Sequence, residues 1–267
     1  MQTLCIVGDN CLSAVETLAD QLRTAREGRV ATVDHTGAQS VDAPELLEAG
    51  EFRIGSDGRW VGAGDGRSVS ELLDSLARRY DYALVAGLVH HRLPTVVLGD
   101  AETPASTAIV DTAATAAELD PEAIVDRIDD LEPHISLETL VDRAKASPMA
   151  DRAGAIATFA GRVRAKDGPD DTRTEQLAFE KYEGIAEQRL DAIREDLTAR
   201  DEVFEVLFHH RVGRVDDGED IVFVVVLAGH RRQAFRAVED GIDRLKDEVP
   251  IFKKETTTDG EFWLHEQ

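Results

Sequence analysis

Lysine is nearly missing from this chain: six occur among 267 residues, at 145, 166, 181, 246, 253 and 254, so arginine supplies most of the 30 basic side chains. Cysteine is scarcer still, with only Cys5 and Cys11, and no Cys/His cluster has metal-ligand spacing. Neither a disulfide framework nor a zinc site is expected, and two reduced thiols fit a cytoplasmic protein. No apolar run approaches 18 residues and no basic, apolar leader opens the chain, so a membrane span and a secretory signal are not expected either. Positive charge is short overall, 53 acids against 30 bases giving a formal net charge of −23. Such a field repels phosphate backbones and anionic lipid, so an anionic ligand requires a local basic pocket.

What is present suffices for two ordinary domains, each with its own core, since 42% of the side chains are hydrophobic. The acid-rich, arginine-over-lysine composition is of the type found in salt-loving organisms, which bears on solvent rather than fold. Charge balance changes along the chain: residues 1–133 hold ten arginines, no lysine and 24 acids, whereas 134–267 hold 20 bases and 29 acids. Between the halves, "DAETPASTAIVDTAATAAELDPEAIVDRIDDLEPH" is rich in Ala, Thr, acids and proline. The expected organisation is a first domain over 1–104, a linker over 105–133 with room for a short helix, and a second domain over 134–267.

The first domain opens "QTLCIVG", then "LSAVETLADQLRTARE" with helical spacing at 15, 18, 19 and 22, then "RVATVDH". That βαβ opening, with a further helix in "SVSELLDSLARRY" and strands in "DYALVAGL" and "PTVVLGD", predicts an α/β layer on a parallel sheet. In such a layer the first strand-to-helix loop cradles phosphate when it carries a second glycine and a lysine. Here "GDNCLSAVE" has Ser13 and Ala14 at those positions, so the P-loop signature is absent. On the opening, "RVATVDH" and "DYALVAGLVHHRLPTVVLGD", this half resembles the MobB adaptors of molybdopterin-guanine dinucleotide biosynthesis, with a degenerate loop. His90 and His91 read as loop residues.

The second domain predicts a helix over 137–145 and a strand over 154–160 running into Gly161. Arg162 and Arg164, two apart, form a ledge that faces an anion or simply neutralises neighbouring acids. "QLAFEKYEG" reads as a strand, "IAEQRLDAIREDLTAR" as an amphipathic helix, "VFEVLFHHRVGRV" as one further strand with His209 and His210 on opposite sides, and "DDGED" as a tight turn. The run 221–228 is apolar on both faces and predicts a central strand. It leads through Gly229, His230 and Arg231 into a helix whose expected buried stripe is Phe235, Val238, Ile242, Leu245 and Val249. Free amides, a histidine and an arginine at that helix start suit an anionic group.

Pro250 ends the helix, with Lys246 in its last turn, and "IFKKETTTDGEFWLHE" continues extended. Ile251 and Lys253 are expected on one face, Phe252 and Lys254 on the other. A helix C-terminus favours any cation, but arginine would serve equally there; lysine adds a tunable proton. Lys246 and Lys253 are therefore expected to converge on one cleft, with Lys254 turned away.

The blocks "GAIATFAGRVR", "EKYEG", "HHRVGRVDDGEDIVFVVVLAGHRRQAF" and "LKDEVPIFKKE", in this order, resemble the large catalytic subunit of molybdopterin synthase, the MoaE family, over 134–267. The resemblance implies an α+β hammerhead-type domain and a sulfurtransferase that needs no metal or other cofactor. It would convert cyclic pyranopterin monophosphate to the molybdopterin dithiolene. Sulfur would come from the C-terminal Gly-Gly thiocarboxylate of a small ubiquitin-like (MoaD-like) partner, and the large subunit would be a homodimer within a heterotetramer. Carried over residue by residue, Lys246 and Lys253 would serve the chemistry; Arg162, Val163, Arg164, His230, Arg231, Lys254 and Glu255 would line the substrate site. Arg162 stands where the family's "GKVR" pattern has lysine, which keeps the cation and alters its geometry. The alternative is a module that binds the ubiquitin-like tail in cofactor assembly without catalysis.

Overall fold

The computed structural model describes residues 1–36, 52–54, 56, 60–62, 66–88, 93–103, 107–166, 168–182, 184–258 and 260–264. The chain divides into two compact units, Met1–His134 and Ile135–Gln267. His90 and His91 lie outside the described residues.

The first unit is built on β1 (Gln2–Val7), α1 (Cys11–Ala25), β2 (Val30–Asp34), a short hairpin of β3 (Phe52–Ile54) and β4 (Trp60–Gly62), α2 (Val69–Ala77), β5 (Tyr82–Ala86), β6 (Thr95–Leu98), β7 (Ile109–Ala113) and α3 (Pro121–Arg127). Five strands form a parallel sheet in the order β2-β5-β1-β6-β7. Alternation sorts β1 onto two faces. Leu4 and Ile6, with Leu84 and Leu98, pack under α1 and α3, while Cys5 and Val7, with Ala83 and Val85, pack against Leu73 of α2. A sheet covered on both faces has to be apolar on both, which is why β1 and β5 read as continuous hydrophobic runs. Ser68 and Glu71 close a reciprocal capping box at the start of α2.

The segment expected to be a linker is part of this unit. Its "AIVDTA" is β7 at the edge of the sheet, and α3 begins with Pro121 at its first position and Asp120 capping two amides. Ile124, Val125 and Ile128 are then buried in the core.

The second unit contains α4 (Leu137–Lys145), β8 (Ala155–Arg162), β9 (Thr174–Lys181), α5 (Ile185–Thr198), β10 (Val203–His210), β11 (Gly213–Asp216), β12 (Asp220–Ala228), α6 (Arg231–Glu248), β13 (Ile251–Thr257) and β14 (Gly260–Leu264). Two antiparallel sheets result, one in the order β10-β12-β8 and one in the order β11-β9-β13-β14. β12 is central, as its apolar run predicts. Val222, Val224 and Val226 face α5 and α6; Phe223, Val225 and Leu227 face Leu140 and Ala144 of α4.

Two expectations change. The stretch "VFEVLFHHRVGRV" is not one strand: β10 ends at His210, Arg211 N makes one further bond to Ile221 O at 2.8 Å, and Gly213, at φ 75, turns the chain so that β10 and β11 serve different sheets. The buried stripe of α6 runs through Ala234, Ala237, Val238, Gly241, Ile242 and Leu245, and Phe235 is 65% exposed. Small residues win the interior positions because the helix lies close to the sheet: a Cβ on Gly241 would sit 3.3 Å from Val224 Cγ1. Ile242 and Leu245 each contribute about 1.5–3 kcal/mol of apolar burial to that contact.

Candidate functional site

β8 ends at the turn between β11 and β12, and this fixes the arginine ledge. Arg162 Nε donates to Gly218 O at 3.0 Å and stands 3.4 Å from Asp220 Oδ1. Val163 is buried against Leu177, Phe179 and Val215, donates to Glu219 O at 2.9 Å and accepts from Gly218 N at 2.9 Å. Arg164 is exposed again. The alternation arginine out, valine in, arginine out therefore holds past the strand end, with Val163 as the anchor and the two guanidiniums outside.

Lys246 is exposed in the last turn of α6. In that turn Arg244 pairs with both Glu248 and Asp196, so these two carboxylates are already engaged. That guanidinium holds the Glu248 carboxyl below its usual range. After Val249 and Pro250, β13 pairs with β9 so that Ile251 is opposite Lys181, Lys253 opposite Phe179 and Glu255 opposite Leu177. Directly opposed residues share a face, so Lys253, half-buried, lies on the face that carries Phe179 and Ile251. Glu255 is on that face too, with its carboxylate accepting from the buried Thr174 hydroxyl. Lys254, opposite Ala178, occupies the other face with Phe252.

Two residues beside Lys253 and Phe179 were not among the expected site residues. Lys181 is on the same face as Lys253, one pairing step away. His210 stands edge-on to Phe179 at 4.9 Å, its Nδ1 2.7 Å from Arg211 O. The scarcity of lysine was the available signal for Lys181; His210 had none, because its neighbour comes from a different sheet. His209 instead stacks on Phe223, so the adjacent pair does take opposite sides.

His230 and Arg231 are not brought to this cluster within one chain. His230 is the N-cap of α6, at the end of β12 where Ala228 pairs with Ala155, whereas Arg162 pairs with Asp220 at the other end. Fifteen helical residues separate Arg231 from Lys246, about 22 Å at 1.5 Å per residue. His230 is 74% exposed, and its Nε2 is 3.6 Å from Glu202 Oε1. The start of α6 thus carries two of the expected cations, His230 and Arg231, and its last turn carries Lys246.

In the first unit an open depression of about 420 Å³ lies at the expected phosphate loop, lined by Gly8, Asp9, Asn10, Cys11, Leu12, Thr36 and Gly87. Its described lining contains a carboxylate and no lysine or arginine. Gly8, at φ 108, is required by packing alone, because a Cβ there would fall 2.1 Å from Leu98 O. Among the described residues no group of His, Cys, Asp and Glu could hold a metal ion, and no helix is long and apolar enough to cross a membrane.

Comparison with known proteins gives a family model described as "MoaE protein" over residues 131–248, a span that includes Lys246 and stops before Lys253. A probable molybdopterin synthase of Haloferax volcanii is 55% identical over 269 residues and covers the whole of both chains. The molybdopterin synthase catalytic subunits of Pyrococcus abyssi and Bacillus subtilis are 36% and 41% identical, covering 46% and 43% of this chain and 82% and 72% of their own. With the full-length match at that identity, the chain belongs to the MoaE family of molybdopterin synthases.

Proposed function

We propose that the second unit is the catalytic subunit of a molybdopterin synthase, moving sulfur from the C-terminal thiocarboxylate of a small ubiquitin-like partner onto cyclic pyranopterin monophosphate. The observation that carries the reading is Lys253: a lysine in a chain with six of them, half-buried on the Phe179 face of β13, across Pro250 from Lys246. Substrate and thiocarboxylate tail are both anionic, so bringing them together in a chain of net charge −23 requires local cations. Opening the cyclic phosphate and displacing oxygen by sulfur require proton delivery, which lysine can supply and arginine cannot. Arg162 and Arg164 hold the anion, Lys246 and Lys253 move protons, and Val163, Lys254 and Glu255 shape the stretch around them. No metal or other cofactor takes part in this step.

His230 and Arg231 enter through the homodimer. The length of α6 keeps them from the lysines of their own chain, so a second copy has to supply them if they meet the pterin phosphate. The test is an assay of the purified chain with thiocarboxylated partner and cyclic pyranopterin monophosphate, reading molybdopterin. Unchanged turnover in both Lys246→Ala and Lys253→Ala would sink the catalytic reading and leave the tail-binding module.

For the first unit we infer a MobB-like domain that has lost its phosphate loop, acting in the cytoplasm as a docking or channelling element for later nucleotide attachment. The parallel sheet supports the comparison. Asp9 in the loop and the packing role of Gly8 argue against nucleotide binding.

A further inference from the structure

Glu202 joins α5 to β10 and, with Asn10, is one of two described non-glycine residues with a left-handed backbone, at φ 62. A long side chain adopts that conformation at a cost that glycine or asparagine would avoid. What glutamate brings must therefore lie in its contacts. Its carbonyl accepts from Gly229 N at 2.8 Å, and its Cβ is 3.2 Å from where a Cβ on Gly229 would be. The residue is thus seated directly against the turn that leads into α6. Its carboxylate then divides: Oε2 accepts from Gln233 Nε2 at 2.9 Å, and Oε1 is 3.6 Å from His230 Nε2, an ion-pair distance when the imidazole carries both protons. Residues 230 and 233 are the N-cap and third position of α6, so one carboxylate spans its first turn.

Among the described residues nothing else holds His230 this way. Its side chain makes no capping hydrogen bond and is largely exposed, so its rotamers would interconvert freely without Glu202. We propose that Glu202 is a positioning residue: it fixes His230 through Nε2 and leaves Nδ1 to donate to the anionic group of the substrate. The imidazole separates carboxylate from anion, and Arg231, Arg232 and the positive end of an 18-residue helix offset the remaining repulsion. The strained backbone is the cost of placing a carboxylate at this point. The proposal rests on the reading that His230 meets the pterin phosphate.

The experiment measures KM and kcat for cyclic pyranopterin monophosphate, with full-length chain and thiocarboxylated partner, together with thermal midpoints. Glu202→Asn keeps a residue suited to the left-handed turn and removes the carboxylate. Its KM is expected to rise about tenfold, with kcat within about twofold and the midpoint no lower than that of the unsubstituted chain. Glu202→Gln, which can still accept from Gln233, is expected to raise KM about threefold. Combined with His230→Ala, Glu202→Asn should add nothing to the effect of His230→Ala alone. If His230→Ala raises KM and both Glu202 variants leave it unchanged, or if they lower kcat and the midpoint together, Glu202 is only a structural turn residue and the proposal fails. If His230→Ala itself leaves KM unchanged, the phosphate reading of His230 fails first and takes the proposal with it.

Discussion

Each unit contains an apolar strand that passes through a glycine into a long helix, β1 to α1 at Gly8 and β12 to α6 at Gly229, and the two turns carry opposite chemistry. The first places Asp9 and Asn10 at the helix start; the second places His230, Arg231 and Arg232. Both glycines sit at close contacts, Gly8 demanded by the backbone of Leu98 and Gly229 packed tightly on the Glu202 side chain. Glycine, strand and helix dipole are thus shared by both turns, and what separates a candidate anion site from a packing corner is the side chains added to it. Only the second turn has them, and only there does a neighbouring residue, Glu202, hold one of them in place.

The largest expected effect tests whether chemistry is confined to the second unit. Lys246→Ala and Lys253→Ala should each reduce turnover by roughly 10³, about 4 kcal/mol of barrier, while Lys254→Ala stays within about threefold. Asp9→Ala should leave turnover unchanged; a loss comparable to that of the lysine variants would break the comparison. Next comes a stability difference at high pH. Burial pushes the Cys5 thiol up to about 11 from an ordinary value of 9.0. Because the folded state holds this proton more tightly than the unfolded one, stability is full below pH 9 and is lost as pH rises from about 9 to 11. The loss should be about 2–3 kcal/mol in denaturant titrations that report the first unit, and Cys5→Ala should flatten that slope.

A smaller effect is expected at the α2 capping box, where Ser68→Ala should lower first-unit stability by about 1 kcal/mol without altering turnover. Smallest of all, magnesium GTP at about 1 mM should raise the thermal midpoint by no more than the equivalent of ~0.4 kcal/mol, as for a Kd at or above that concentration. A clear nucleotide-dependent rise would erase the contrast between the turns.

Much of this was legible in sequence where one physical rule dominated. The run 221–228 had to be a central strand because it is apolar on both faces, and Pro250 had to end α6 and start β13. The opposite facing of Lys253 and Lys254 followed from strand periodicity and agrees with their register against β9. The short helix allowed for in 105–133 is α3, whereas β7 is not legible, because its Ala, Thr and acid-rich composition matches that of a linker and only its pairing with β6 reveals a strand. Phe235 was placed in the buried stripe on hydrophobicity, whereas the close approach of α6 at Gly241 admits small residues instead. The separation of His230 from Lys246 could have been counted from helix rise. The role of Glu202 could not, since no residue type signals a left-handed glutamate.

The strand order β2-β5-β1-β6-β7 also sets a timetable for synthesis. β1 is made before the other strands of its sheet and is the central one, and its partners are β5 and β6. At about 5–20 residues per second, the 74 residues between Val7 and Tyr82 take about 4–15 s to make. Throughout that interval Leu4, Cys5, Ile6 and Val7 have neither native neighbour, so nascent first unit is when this chain most needs a chaperone.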